Sequence, residues 1–239
     1  MNRHFARAFV VCLLFAACGL AQSTTPVARK SSVVRGAPGP ARFEPEIAAF
    51  EKWDRQNAVP RDAILFVGSS SIRLWQTADA FPDLPVINRG FGGSTVADIN
   101  HFADRIVFKY KPRLIVLYAG DNDLAAGKSP EQVHRDMEDF RNTVHDRLPT
   151  TRIIYLPINP SPSRWKLWPK AQKVNALEKE ISDKVDHLIY VDTSTPILGA
   201  DGQPRKELFR DDLLHMNPDG YAIWNKILAP QLHSLASSR

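Results

Sequence analysis

The chain has 239 residues, 44% of them hydrophobic and 24% charged, with 12 Gly and 18 Pro. That composition excludes a fibrous, low-complexity or disordered protein, and a chain of this length buries roughly 70% of its unfolded surface without needing disulfides or a structural metal. Its formal charge of +5 is carried by scattered Lys and Arg, whereas a nucleic-acid footprint needs them clustered on one face, so nucleic acid is excluded as a partner.

At the N-terminus, Arg3 and Arg7 precede an uninterrupted apolar run of 14 residues, Ala8 to Ala21, which is too short to span a bilayer comfortably. Gly19 and Ala21 flank Leu20 in an A-x-A-like pattern, so residues 1–21 read as a signal peptide cut after Ala21. The expected mature chain keeps 218 residues and a formal charge of +3. It has no transmembrane span and is exported, to the periplasm or the medium. Cys18, after Phe15-Ala16-Ala17, offers the alternative of a lipoprotein anchor. Cys12 and Cys18 are the only cysteines and both leave with the leader, which excludes a disulfide framework, a Cys-based zinc site and thiol redox chemistry in the mature chain. Residues 22–42 are rich in Ser, Thr, Pro, Gly and Arg without apolar period, the pattern of a flexible tether. The domain is expected over 43–239.

Within it, five short β-branched or aliphatic runs read as strands: Ala63 to Val67, Pro85 to Asn88, Arg113 to Tyr118, Arg152 to Pro157 and Leu188 to Val191. Before the fourth, Val133, Met137, Phe140 and Val144 recur at spacings of four, three and four, one buried helix face, begun by Ser129 as N-cap, Pro130 in the first turn and Gln132 as capping-box partner. Val174, Leu177, Ile181 and Val185 repeat the pattern before the fifth strand. Asn217-Pro218 caps a last helix carrying Tyr221, Trp224 and Leu228. Strands that are continuously apolar are buried on both faces, so the expectation is a doubly wound, three-layer α/β/α domain with a parallel five-stranded sheet.

In such sheets ligands bind beyond the carboxyl ends of the strands. The segments found there are Gly68-Ser69-Ser70-Ser71, Gly90-Phe91-Gly92-Gly93-Ser94, Gly120-Asp121-Asn122-Asp123 and, after the last strand, Asp212-Leu213-Leu214-His215. Together they support acyl transfer. A serine hydroxyl needs an imidazole to take its proton, and the imidazole needs a carboxylate on its other nitrogen. Ser70 supplies the first. His215 and Asp212 are three apart, a spacing that puts both on one side of a turn, although Asp211 competes for the ring. Oxyanion donors are available in the N–H groups of Ser70 and of the glycine turn, where Gly93 lets the backbone approach closely, and in the Asn122 amide. Asp121 and Asp123 have no further His or carboxylate at ligand spacing and read as solvated or helix-capping, so no metal is expected. The glycines lack the Lys-Ser/Thr of a nucleotide loop, and no cofactor is expected. In the loop Asn159 to Trp168, Arg164 reads as a solvent-facing cation. Trp165 or Trp168 there stacks on a sugar ring, lines an acyl pocket or packs against the next helix.

Phe66-Val67-Gly68-Ser69-Ser70, Asn88 through Gly93, Gly120-x-Asn122 and Asp212-x-x-His215 resemble, in order, the four blocks of the SGNH, or GDSL-type, esterases and lipases. The resemblance spans Ala63 to Trp224. It implies a flavodoxin-like sheet with Ser70 as nucleophile, Gly93, Asn122 and the Ser70 N–H as oxyanion donors, His215 as base and Asp212 as its orienter. The family's first block has Asp before the nucleophile, and here that residue is Ser69. There is no G-x-S-x-G, so the nucleophile elbow of ordinary α/β-hydrolases is not expected. The implied activity is that of a carboxylesterase or acetylesterase on a small-molecule, carbohydrate or lipid ester. The alternatives are a lysophospholipase or acyl-thioesterase, and a cell-envelope binding module that kept the fold without catalysis.

Overall fold

The structure, a computed structural model, describes residues 39–237. The expected signal peptide and most of the expected tether lie outside the described residues. A 3-10 turn, Pro40–Phe43, leads into α1 (Glu44–Gln56). Then follow β1 (Ile64–Gly68), α2 (Ser70–Arg73), α3 (Thr77–Ala80), β2 (Val86–Gly90), α4 (Val96–Ile106), β3 (Leu114–Tyr118), α5 (Asp121–Ala125) and α6 (Pro130–Arg147). The chain finishes with β4 (Arg152–Tyr155), α7 (Trp168–Ser182), β5 (Leu188–Tyr190) and α8 (Pro218–Ser237). The strands match the expected runs to within one or two residues at each end. Residues 40–42, which composition puts in the tether, instead form the turn, where the Arg42 guanidinium lies over the Phe43 ring and donates to the Gly93 carbonyl at 3.3 Å.

All five strands are parallel, in the order β2-β1-β3-β4-β5. This is the expected flavodoxin-like doubly wound order. Alternation along each strand divides the core in two. Leu65 and Val67 of β1, Ile115 and Leu117 of β3 and Ile153 and Tyr155 of β4 pack with Ile47 of α1, Phe102 of α4, Phe140 of α6 and Val174 of α7. Ile64 and Phe66, Val116 and Tyr118, and Ile154 face the other way, onto Ile72 of α2 and Trp224, Leu228 and Leu232 of α8. Every residue of β1 and β3 is buried, which is why these strands read as unbroken apolar runs rather than alternating ones. Val133, Met137, Phe140 and Val144 form the buried face of α6, and Ser129 and Gln132 make the reciprocal capping box at its start.

The winding reverses between β1 and β3. Their carboxyl ends, Gly68 and Tyr118, are partners in register, so the crevice that an open parallel sheet offers to a ligand opens between them.

Candidate active site

At this crevice β1 ends in Gly68, whose φ is +154°; a Cβ there would lie 2.0 Å from the Tyr118 carbonyl oxygen. Only glycine lets β1 run this close to β3. The next N–H, of Ser69, donates to that same carbonyl at 3.1 Å, and Ser70 then opens α2, so its N–H has no intrahelical acceptor. Asn88 of β2 fixes the helix from beneath: its amide donates to the Ile72 and Trp75 carbonyls at 2.7 and 3.1 Å and its oxygen accepts from Gly90 N–H at 2.9 Å. Ser70 is 9% exposed.

The imidazole comes from far along the chain. After β5 the chain passes through two 3-10 turns, Thr195–Ile197 and Lys206–Leu208, and a bridge between Phe209 and Met216 closes a tight turn around Asp212 and His215. The N–H of Arg210 donates to the His215 carbonyl and that of Leu213 to the Arg210 carbonyl, both at 2.8 Å. Leu213 sits in the left-handed region at φ +55°, a conformation that an L-residue holds only against strain. His215 Nε2 lies 2.9 Å from Ser70 Oγ, and its Nδ1 lies 2.6 Å from Asp212 Oδ2. Asp212 Oδ1 accepts from the N–H groups of Leu214 and His215, each at 2.9 Å. Burial works to raise the Asp212 pKa, but the ring bond and these two backbone bonds outweigh it and bring the carboxyl down to about 2. Asp212, not its exposed neighbour Asp211, is therefore the carboxylate the ring meets. The pair is open to solvent, with 24% of the His215 and 48% of the Asp212 side chain exposed.

Hydrogen bonds hold the segments that carry the remaining expected residues around the end of β1. Gly68 O accepts from Phe91 N–H at 3.0 Å and from Ser94 Oγ at 3.3 Å, which seats the glycine turn against the end of β1. Within that turn Gly93 has φ +78°, and a Cβ there would meet nothing within 4 Å, so the side of the residue where a side chain would stand is open. Asn122, in α5, donates from Nδ2 to the Ser94 carbonyl at 3.0 Å. All five expected site residues thus fall at one end of the sheet.

Two expectations around them need correction, and a third is narrowed to one of its readings. Arg164 is not a solvent-facing cation: its guanidinium donates to Asp121 Oδ2 at 2.6 Å and to Asn122 Oδ1 at 2.9 Å. Asp121 is not solvated but buried, and burial pushes its carboxyl up against the opposing pull of Arg164. Asp123 is wholly buried; it accepts from the first N–H of α4, at Val96, and from Lys128. It caps a helix, but a neighbouring one. Burial raises its carboxyl too, with Lys128 opposing. Trp165 and Trp168 stack on each other, ring centroids 6.1 Å apart, and Trp168 also packs on the core. Among the described residues no group of three or more His, Cys, Asp or Glu is placed to hold a metal, and no helix is long and apolar enough to cross a membrane.

The arrangement can relay a proton from a hydroxyl to an imidazole held by a carboxylate, beside backbone and amide donors, and this agrees with the family. The chain belongs to the GDSL-like lipase/acylhydrolase family, which it matches over residues 70–223. It is accordingly an enzyme, a hydrolase of ester bonds. No curated protein matches the chain. Solved structures do. A Streptococcus pneumoniae protein assigned as a platelet activating factor is 22% identical, covering 80% of this chain and 94% of its own, with a TM-score of 0.71. A GDSL-like lipase from Bacteroides thetaiotaomicron is 20% identical over 82% and 98% of the two chains, with a TM-score of 0.65. A variant of an acetyl-xylooligosaccharide esterase from Geobacillus is 16% identical over 72% and 94%, with a TM-score of 0.60. At these identities the likeness speaks for the fold, a three-layer α/β/α sandwich.

Proposed function

We propose that the protein is an exported serine ester hydrolase of the carboxylesterase or acetylesterase type. Ser70 is the nucleophile, His215 the proton carrier, Asp212 its orienting carboxylate, and the N–H groups of Ser70 and Gly93 with the Asn122 amide the oxyanion donors. The observation that carries this reading is the unbroken line from Asp212 through His215 to Ser70, at 2.6 and 2.9 Å. A carboxylate at Nδ1 fixes the tautomer whose Nε2 is free to accept. Ser70 Oγ attacks the ester carbonyl carbon while its proton passes to Nε2; the carbonyl electrons collect on the oxygen facing the donors. Collapse expels the alcohol, which takes the Nε2 proton, and leaves acyl-Ser70. A water then gives a proton to Nε2 and attacks the acyl carbon, and Ser70 leaves with that proton as the carboxylic acid departs. With its pKa at about 2, Asp212 stays ionised wherever the imidazole can act as a base.

The narrow cavity lined by Ser71, Tyr118, Ile158, Trp168, Leu214 and Met216, with chain neighbours of Ser70 and His215 among them, supports a short acyl group. The exposure of His215 and Asp212 suits a bulky polar alcohol approaching from solvent. Rates on p-nitrophenyl esters from acetyl to palmitoyl test the assignment. A sharp acetyl preference is expected, and a preference for medium or long chains would move the assignment to a lysophospholipase or thioesterase. Ser70→Ala is expected to lower kcat by at least about 10⁴-fold and to abolish labelling by a fluorophosphonate, whereas Ser71→Ala keeps substantial activity; equal losses would overturn Ser70 as nucleophile. Export rests on Arg3, Arg7 and the apolar run to Ala21. A mature N-terminus at Gln22 is the expected result, a lipidated Cys18 would replace secretion by anchoring, and an intact chain in the cytoplasm would refute export.

A further inference from the structure

One arginine bridges two consecutive residues at the oxyanion side of the site. Arg164 lies in the 3-10 segment Pro162–Leu167 between β4 and α7. Its Nη1 donates to Asp121 and its Nη2 to Asn122 Oδ1, at 2.6 and 2.9 Å. The other end of the Asn122 amide donates to the Ser94 carbonyl at 3.0 Å, next to Gly93.

A primary amide has one accepting end and one donating end of nearly equal shape. Turned over, Asn122 would set its NH₂ against a guanidinium and its oxygen against a carbonyl, losing both bonds and creating two like-for-like contacts. The cation thus selects the orientation that puts N–H groups at the site. One of the two N–H groups of Asn122 is used on Ser94, leaving the second for a substrate oxygen. A charged donor on the amide oxygen also draws electron density from the nitrogen, which strengthens that remaining N–H as a donor.

The arginine is itself held in place. Asp121 is 8% exposed, and its second oxygen faces Ser69 Oγ at 3.4 Å. With one arm on Asp121 and the other on Asn122, the planar fork has the two-point geometry that a lysine lacks.

We propose that Arg164 is a positioning residue for catalysis. Anchored by Asp121, it fixes and polarises the Asn122 amide so that an N–H faces the developing oxyanion. The proposal rests on the reading of Asn122 as an oxyanion donor in a Ser70 esterase. Its action is therefore confined to the transition state and passes wholly through Asn122.

The test is a double-mutant cycle on p-nitrophenyl acetate hydrolysis. Arg164→Ala is expected to lower kcat by roughly 10- to 100-fold, less than the 10²- to 10³-fold expected of removing an oxyanion donor in Asn122→Ala, with KM within twofold of wild type. In the Asn122→Ala background, Arg164→Ala is expected to cost no more than about threefold further, because the group it acts through is already gone. Multiplicative losses, an effect confined to KM, or wild-type kcat in Arg164→Ala would each overturn the proposal, the second by making Arg164 a substrate contact. Should Arg164→Ala leave Asp121 too poorly compensated to fold, Arg164→Lys carries the same cycle: it keeps a charge on Asp121 without reaching Asn122, and is expected to show the same kcat loss and non-additivity. Ser70→Ala separates the two levels. If it keeps activity, the esterase reading itself has failed; if it is inactive while Arg164 and Asn122 act independently, only the proposal on Arg164 has.

Discussion

Replacing Asp212 by Asn separates what the carboxylate does for catalysis from what it does for the turn. Its Oδ1 accepts two backbone N–H bonds, from Leu214 and His215, and its Oδ2 meets the ring. An asparagine oxygen can keep the two backbone bonds, so the turn persists. The NH₂ group then occupies the Oδ2 position and, being a donor, requires an unprotonated Nδ1. The ring proton moves to Nε2, where it faces Ser70 and cannot accept from it. Loss of tautomer control of this kind costs about 10⁴-fold in kcat. Asp212→Ala instead also deletes the two backbone bonds. At a half-exposed site each falls toward the lower end of about 0.5–1.5 kcal/mol, together about 1–2 kcal/mol, or a Tm drop of about 2–8 °C for a domain of this size. The assay pairs steady-state hydrolysis of p-nitrophenyl acetate with a thermal melt. Asp212→Asn is expected to lose about 10⁴ in kcat at an unchanged Tm, Asp212→Ala to lose both activity and stability, and exposed Asp211→Asn to lose neither. Wild-type kcat in Asp212→Asn, or a comparable loss in Asp211→Asn, would refute the pairing.

Two glycines of the site are expected to respond oppositely to the same methyl group. Gly68→Ala drives a Cβ into the Tyr118 carbonyl and is expected to cost more than about 3 kcal/mol or to prevent folding. Gly93→Ala meets no atom within 4 Å and bears only positive-φ strain of about 1–2 kcal/mol; calorimetry checks both, and similar losses would contradict the packing described. A third expectation concerns pH. The bond from His134 Nδ1 to buried Glu178, at 2.7 Å, holds the imidazole above its ordinary value. A raised folded-state pKa means that the folded protein binds the proton more tightly, so this stabilisation is fully present below the unfolded histidine value, about 6.5, and is lost as pH rises through the folded one. The Tm advantage of wild type over His134→Gln is expected to widen from pH 8.5 to pH 5.5, and a constant or shrinking advantage would refute it.

Sequence alone reached the sheet because β1 and β3 are buried on both faces and so advertise themselves as unbroken apolar runs. It reached α6 and α8 because their caps, Ser129 with Gln132 and Asn217, are local. It did not reach α1, where Ile47 alone is buried and much of the surface is given to ion pairs, such as Glu44 and Glu51 with Arg105; a helix with so narrow a buried face leaves little apolar period to read. Ser70, Gly93, Asn122, Asp212 and His215 were legible because each stands beside a turn signal at the end of an element. The Asp121–Arg164 pair was not. Its members are 43 residues apart, and no spacing rule connects the start of α5 to a 3-10 segment beyond α6 and β4. Asp123 was half legible: an acid after a buried strand suggests a cap, but only the fold places α4 above it. The three-residue spacing favoured Asp212 over Asp211, but the left-handed turn at Leu213 that delivers it to the ring is not encoded in a glycine.

The contact between Ser70 and His215 joins residues 145 apart. Closing a loop of that length costs about 2 kcal/mol more entropy than closing one of ten residues. Two further contacts across 150 residues secure it at α2 and just beyond: Trp75 Nε1 donates to Asn225 at 2.8 Å, and the Tyr221 hydroxyl donates to the Ser71 carbonyl at 2.8 Å. The last helix is therefore a latch as much as a layer. In chain order the whole sheet, with Ser70, the glycine turn and Asn122, precedes His215 and the latch. The line from Asp212 through His215 to Ser70 therefore closes only when the segment after β5 docks on the sheet.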